Sequence, residues 1–114
     1  MSFDISLAKK IYNEKKENQE KNRQILLEKV IDLLKEYFAD KNILSVYIVG
    51  FLVKAYQYTQ YSDIDIAIEG MKSEDFFKIY GDIEELLGTE NIDLIELEKC
   101  RFRDSIIKEG RQII

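Results

Sequence analysis

Two aspartates stand two residues apart in the segment Ser62-Asp63-Ile64-Asp65-Ile66. Successive side chains of a β-strand point to opposite faces of the sheet, so Asp63 and Asp65 would share one face while the isoleucines fill the core. Adjacent carboxylates repel each other unless a cation lies between them, and Mg²⁺ commonly binds one or two carboxylates together with phosphate oxygens. The spacing therefore favours a metal site, and a solvent-exposed polar strand face is the alternative interpretation.

A third carboxylate, Asp93, lies inside the apolar segment Asn91-Ile92-Asp93-Leu94-Ile95, where burying it unpaired would be costly. If this strand is next to the 63–69 strand, Asp93 would complete a cluster of three carboxylates. Such a cluster can hold two cations about 3.5–4 Å apart for phosphoryl or nucleotidyl transfer. The alternatives are an edge position that faces water, or an ion pair with a nearby basic residue: Lys54, Arg101 or Arg103. Glu96 is a weaker candidate ligand because it lies on the opposite face of the strand.

The composition limits the other chemistry that is available. The 114 residues include no histidine, which excludes histidine acid–base catalysis and histidine-ligated zinc, and the single cysteine, Cys100, excludes an internal disulfide. The net charge of −5 gives no support for a nucleic-acid partner, although a local basic patch is not excluded. No apolar segment approaches the roughly 20 residues of a membrane span. We therefore expect a cytoplasmic protein that does not bind a membrane.

The candidate ligands must be positioned by a small α/β (α+β) domain that occupies residues 1–114. The pattern predicts a long N-terminal helix over 4–38, whose second half is amphipathic. Strands are predicted over three segments: 43–49, 63–69 and 91–97. Helices are predicted over four segments: 4–38, 51–57, 73–87 and 98–114. This order favours a small mixed sheet flanked by helices.

The first part of the long helix, residues 1–24, is predicted to be a polar helical extension. Residues 9–24 contain nine charged residues, and only Ile11 and Tyr12 are large and apolar. We interpret the segment as a solvated helical face stabilised by charge pairs four residues apart. The alternative is an arm that packs on a partner chain, which would make the protein a homo-oligomer.

The order of these motifs resembles the minimal nucleotidyltransferases (MNT) of the DNA polymerase β superfamily. The resemblance covers about residues 25–114 and depends on Gly50 after the first strand, on Ser62-Asp63-Ile64-Asp65-Ile66, and on Ile92-Asp93-Leu94-Ile95 further along. The segment from Ile106 to Ile113 also resembles the family's closing helix and short end strand.

The resemblance implies a catalytic site. Asp63 and Asp65 would bind Mg²⁺ that bridges the triphosphate of a nucleotide, and Asp93 would bind a second Mg²⁺ and activate the attacking hydroxyl. The enzyme would then transfer a nucleoside monophosphate, AMP from Mg-ATP, to a protein or other hydroxyl acceptor and release pyrophosphate. The end of a tRNA is not excluded as the acceptor.

The resemblance also assigns four residues to the binding of nucleotide phosphates: Gly50, Phe51, Lys54 and Ser62. Members of the family carry a Gly-Ser pair after the first strand, and its serine supplies a hydroxyl to the phosphates. In this sequence Phe51 stands at the position of the serine. The substitution removes the hydroxyl and adds bulk beside the expected phosphate position.

Three functions remain open from the sequence. MNT proteins are commonly paired with a helical HEPN protein, so the leading hypothesis is a nucleotidyltransferase that acts as the antitoxin of a HEPN/MNT toxin–antitoxin pair. The second is an inactive MNT-fold module that neutralises or scaffolds a partner protein, which the Phe51 substitution favours. The third is a subunit whose N-terminal helix mediates self-association.

Overall fold

The computed structural model describes residues 4–114 as three helices, four strands and three short 3₁₀ turns. The helices are α1 (Ile5–Phe38), α2 (Phe76–Leu87) and α3 (Arg103–Glu109). The strands are β1 (Ser45–Val49), β2 (Ile64–Glu69), β3 (Ile92–Glu96) and β4 (Arg111–Gln112). The 3₁₀ turns are Gly50–Val53, Ser73–Asp75 and Leu97–Lys99. The long N-terminal helix and the three predicted strands are confirmed.

The four strands form one mixed sheet in the order β3-β2-β1-β4. Strand β1 pairs antiparallel with both β2 and β4, whereas β2 and β3 are parallel and are connected through α2. This is the small mixed α+β sheet that the sequence predicts. The parallel β2–β3 pair matters most for function, because each of these two strands carries one of the candidate ligands.

One face of the sheet forms the main core. Alternate residues of β2, Ile64, Ile66 and Ile68, are at most 3% exposed and pack beneath α1 and α2. From α1, Val30 and Leu34 reach the same cluster. Burying a side chain of this size contributes about 1.5–3 kcal/mol, so this face supplies most of the stability of the fold.

The opposite face of the sheet is covered much less. Its apolar cluster contains four buried residues, Tyr47, Val49, Ala67 and Leu97, to which Ile95 and Ile106 add partial cover. Ile106 comes from α3, which is only seven residues long. A short helix cannot cover the whole face, and the carboxylates lie on the part beyond it.

The sequence prediction of a helix over 98–114 is wrong at both ends. The chain forms a 3₁₀ turn over Leu97–Lys99, α3 starts at Arg103, and β4 follows Gly110 and pairs with β1. At Gly110 the backbone is extended, and an added Cβ would lie 2.7 Å from Val49 Cγ1. The close approach to β1 therefore ends the helix.

The predicted helix over 51–57 is reduced to the 3₁₀ turn Gly50–Val53, after which Tyr56 adopts a left-handed backbone with φ of 63°. Helix α2 starts at Phe76 rather than at residue 73, because a separate 3₁₀ turn occupies Ser73–Asp75. It is capped at its C-terminal end by Gly88 in the left-handed conformation, which glycine adopts without strain.

The polar part of α1 is an arm along most of its length. Residues 5–19 are all exposed except Ala8, which is half-buried, so about 22 Å of helix extends past the sheet. The interpretation of 9–24 as a wholly solvated face is wrong at two positions, because Glu20 and Arg23 are buried. Within residues 4–114 no helix is both long enough and apolar enough to cross a membrane.

Candidate active site

Asp65 and Asp93 are brought together by the pairing of β2 with β3. The two residues are direct partners in the parallel register, so their side chains leave the same face of neighbouring strands about 4.8 Å apart. Asp63 immediately precedes β2 and lies two residues before Asp65. Asp65 and Asp93 therefore share the face opposite the main core, where Asp93 is exposed on the edge strand β3, and Asp63 is close enough for its charge to act on Asp65.

The charges of the three carboxylates act on one another. Partial burial, followed by the negative charges of Asp93 and Asp63, raises the pKa of Asp65 to about 6. Within residues 4–114 the ion pairs include none with these carboxylates, and Arg103 pairs with Glu69 instead. Among the described residues, therefore, neither an arginine nor Lys54 forms the ion pair with Asp93 that the sequence left open as an alternative.

Gly50 leaves room for the Asp65 carboxylate. Its φ of +73° is in the left-handed region, and an added Cβ would lie 2.2 Å from Asp65 Oδ2. Any other residue would be strained there and would displace the carboxylate. Gly50, which the sequence assigns to phosphate binding, thus lies directly against a candidate metal ligand.

Phe51 and Lys54 follow Gly50 at the same edge of the sheet. Phe51 is 51% exposed, so its ring is not part of the core, whereas the adjacent Leu52 is fully buried and anchors the turn. The Lys54 side chain is exposed, and its ammonium group lies 5.9 Å from the centre of the Phe51 ring. Both side chains can therefore reach a ligand at this edge.

Ser62 already has a structural role in the loop before β2. Its hydroxyl accepts a hydrogen bond from the Thr59 backbone N–H at 3.1 Å, and its own N–H donates to the Thr59 carbonyl at 3.0 Å. Tyr61, beside it, is 84% exposed. Ser62 lies one residue from Asp63, but its hydroxyl is used to close the loop.

Two tyrosines, Tyr58 and Tyr80, pack against the main core on the other face of the sheet, and the charges of the carboxylates act on both. Burial, followed by the charges of Asp63 and Asp65, raises the pKa of Tyr58, and burial with the charges of Glu84, Asp93 and Asp63 raises that of Tyr80. The Tyr80 hydroxyl donates to the Ile92 carbonyl, next to Asp93.

The sequence motifs single out neither tyrosine as a site residue. The only signal for Tyr80 is its place on the sheet-facing side of α2, and that signal is shared by every core residue of the helix.

The donor chemistry of the site fits a hard divalent cation. Carboxylate oxygens are preferred Mg²⁺ ligands, and Gly50 keeps open the space that the Asp65 carboxylate occupies. Among residues 4–114, however, no three acidic, histidine or cysteine side chains are arranged to hold an ion by themselves. Mg²⁺ usually takes only one or two carboxylates and completes its coordination with water and phosphate. The site therefore fits a cation that arrives with a nucleotide.

Comparisons with known proteins agree with the fold. Residues 28–114 match the family described as "Polymerase beta, Nucleotidyltransferase". The chain therefore belongs to the nucleotidyltransferases of the DNA polymerase β superfamily, as the motifs indicate. No curated protein aligns significantly with the sequence.

A solved complex contains a chain of similar fold. It is described as tri-AMPylated Shewanella oneidensis HEPN toxin with MNT antitoxin. The superposition has a TM-score of 0.51 at 21% identity and covers 81% of this chain and 71% of that chain. A likeness at this identity shows a shared fold.

Proposed function

We propose that this chain transfers AMP from Mg-ATP to a hydroxyl group on a partner protein. The observation that carries the proposal is the register of Asp65 with Asp93 on adjacent parallel strands. Membership of the nucleotidyltransferase family supports the same reaction class. A cluster of carboxylates on an open face of the sheet, with a glycine turn against it, suits a substrate that brings both phosphate and Mg²⁺.

In the proposed reaction the three aspartates have two roles. Asp63 and Asp65 would hold Mg²⁺, which neutralises charge on the phosphate oxygens when bound. Asp93 would help to hold a second Mg²⁺ and accept the proton of the acceptor hydroxyl. The hydroxyl oxygen bonds to the α-phosphorus, the bond from that phosphorus to the β-phosphate oxygen breaks, and pyrophosphate leaves with the electron pair. In this proposal Gly50, Phe51 and Lys54 would border the path of the phosphates, and Ser62 would hold the loop beside Asp63.

The partner that we propose is a HEPN-type protein, with this chain as its antitoxin in the cytoplasm. The support is the solved complex, whose description names an AMPylated HEPN toxin and an MNT antitoxin. That description concerns the neighbour, and the shared fold over 81% of this chain is the reason for extending it. A HEPN-type gene beside the gene for this chain would strengthen the assignment.

The test is transfer of label from ATP, in the presence of Mg²⁺, to a HEPN-type protein from the same genome. Label in the α-phosphate should appear on the partner, whereas label in the γ-phosphate should not, because only the nucleoside monophosphate is transferred. Chelation of Mg²⁺ with EDTA should stop the reaction. Transfer of γ-label, or undiminished transfer in EDTA, would contradict the proposal.

The second candidate function is a binding module that holds a partner without transferring AMP. Phe51 favours it, because a half-exposed aromatic ring stands where the family has a hydroxyl for the phosphates. The two functions differ in nucleotide binding. A module should bind the HEPN-type protein equally well with and without Mg-ATP, and should show no affinity for the nucleotide at millimolar concentration.

Self-association through the N-terminal helix is a separate proposal. The arm of α1 exposes Ile5, Leu7, Ile11 and Tyr12, each more than half accessible. A dimer formed through these side chains should dissociate when Ile11 and Tyr12 are both replaced by Gln. Sedimentation of the full chain over a range of concentrations would detect the change, and a wild-type chain that is monomeric throughout would exclude the role.

A further inference from the structure

The polar part of α1 makes one buried, charged contact with the rest of the domain. Glu20 and Arg23, one turn apart, are 6% and 8% exposed in a segment that is otherwise solvated. The Arg23 guanidinium pairs with Glu20 through two hydrogen bonds, one from Nε and one of 3.1 Å from Nη2. The hydrogen bond from Arg23 lowers the pKa of Glu20, so the carboxylate is charged at neutral pH.

The remaining hydrogen bonds of this pair go to the segment that follows β1. Arg23 Nη1 donates to the Leu52 carbonyl at 2.9 Å, and Glu20 Oε1 accepts from the Tyr56 N–H at 3.1 Å. Leu52 and Tyr56 flank Lys54, and the turn begins at Gly50, against Asp65. One ion pair thus holds the backbone on both sides of Lys54 and directly after Gly50 and Phe51, three of the residues assigned to phosphate binding.

The backbone conformation of Tyr56 gives independent evidence that these contacts fix the path of the chain. Its φ of 63° is the left-handed region, which a tyrosine adopts only when surrounding contacts enforce it. The contacts are the Tyr56 N–H to Glu20 and the Tyr56 hydroxyl to Glu17 at 3.1 Å, both from α1. Helix α1 therefore imposes the path of the chain between residues 52 and 56.

We infer that Glu20 and Arg23 are positioning residues for nucleotide binding, acting through the backbone of residues 50–56. The inference rests on the proposed function, because it assigns those backbone atoms to the ATP site. Leu52 anchors the turn in the core by its side chain, but a single side chain leaves the backbone free to rotate. The ion pair prevents that rotation of the backbone and so determines the positions of Gly50, Phe51 and Lys54 relative to Asp65.

The experiment compares wild type with Arg23→Met and Glu20→Gln, using the full chain. Arg23→Met should raise KM and Kd for Mg-ATP about tenfold, the effect typical of losing a supporting contact. Arg23→Lys, which keeps one donor for the Leu52 carbonyl, should recover part of that loss. Lys21→Met is the matched control, because Lys21 is exposed in the same turn of α1, and it should leave both constants unchanged.

Measuring KM and kcat separately distinguishes a positioning role of Arg23 from a general loss of protein stability. A variant that is only less stable has fewer folded molecules, so its apparent kcat falls while its KM is unchanged. Positioning instead predicts a raised KM at a folded fraction equal to that of wild type by circular dichroism. A lower kcat with wild-type KM and Kd would overturn the inference.

Hydrogen exchange gives a readout that needs no nucleotide. Arg23→Met should accelerate exchange of the amides of residues 52–57 while leaving β2 and β3 protected. Exchange that is unchanged at residues 52–57, or accelerated equally throughout the sheet, would overturn the inference. A wild-type chain that binds no Mg-ATP would instead contradict the proposed function, so the two failures are distinguishable.

Discussion

The two faces of the sheet use the same strands for different purposes. On β2, Ile64, Ile66 and Ile68 face α1 and α2 in the main core, while Asp65 lies between them on the opposite face. The core face is closed by a 34-residue and a 12-residue helix, whereas among residues 4–114 the other face is covered by the seven-residue α3 and by Leu97 of the preceding 3₁₀ turn. Because successive side chains of β2 point to opposite faces, the isoleucines stabilise the core while Asp65, between them, is available to a ligand.

The largest effect on activity should come from removing the charge of one of the candidate carboxylates. Asp65→Asn keeps the shape of the side chain but removes its charge, and we expect AMP transfer to fall about a thousandfold, or ~4 kcal/mol in transition-state free energy. Asp63→Asn should act similarly. The rate of label transfer at saturating Mg-ATP measures the loss.

The control for this prediction is Asp32→Asn, which changes an exposed aspartate of α1. It should transfer AMP at the wild-type rate. An Asp65→Asn variant with more than a tenth of wild-type activity would show that the site does not depend on this carboxylate.

The next largest effect compares the two faces directly on β3. Leu94 is 6% exposed in the main core, and Ile95, the next residue, is half-buried on the opposite face. We expect Leu94→Ala to lower the free energy of unfolding by about 3 kcal/mol and Ile95→Ala by about 1 kcal/mol, because the second site is partly solvated already. Urea denaturation measures both. Equal losses would contradict the assignment of stability to one face.

A third prediction concerns Phe51, where the family has serine. Phe51→Ser should raise the rate of AMP transfer about thirtyfold, or ~2 kcal/mol, because a hydroxyl bonded to a charged phosphate is worth about that much. Phe51→Ala removes the bulk without adding the hydroxyl and separates the two causes. If neither variant gains activity, the substitution at this position does not limit the reaction.

The grouping of the candidate carboxylates could be predicted in part from the sequence because it depends on local rules, and their role as metal ligands stays a prediction. Asp63 and Asp65 follow from the two-residue period of a strand, and Asp93 stands out as a charge inside an apolar segment. The register that makes Asp65 and Asp93 direct partners is set by packing between strands, so the sequence indicated their proximity only on the condition that the strands are adjacent.

The errors lie where distant contacts override a local pattern. Residues 98–114 have helical composition, but Gly110 approaches β1 and the last residues pair with that strand, as in the Ile113 N–H to Val46 carbonyl bond of 2.8 Å. From the sequence alone Glu20 and Arg23 are interpreted as solvated charges, because the segment that buries them begins about 30 residues later in the chain. No pattern within a helix reports such a contact.

The smallest predicted effect is a pH dependence of stability that originates at Asp65. Its pKa is raised from 3.8 to about 6 by burial and by Asp93 and Asp63, so between these values the folded chain binds the proton more tightly than the unfolded chain. The free energy of unfolding should therefore decrease as pH rises from about 4 to about 6. After discounting for the solvent around a half-buried group, the loss is about 1 kcal/mol.

Asp65→Asn should remove this pH dependence of stability, which tests whether the Asp65 carboxylate destabilises the fold. In EDTA the variant should be more stable than wild type by about 1 kcal/mol at pH 7.5 and equal to it at pH 4, because protonated Asp65 is already neutral. Urea denaturation at the two pH values measures the difference. Added Mg²⁺ should stabilise wild type more than the variant at pH 7.5, since the cation binds the ionised carboxylate. A variant that is less stable than wild type at pH 7.5 in EDTA would mean that Asp65 supports the fold rather than straining it for a ligand.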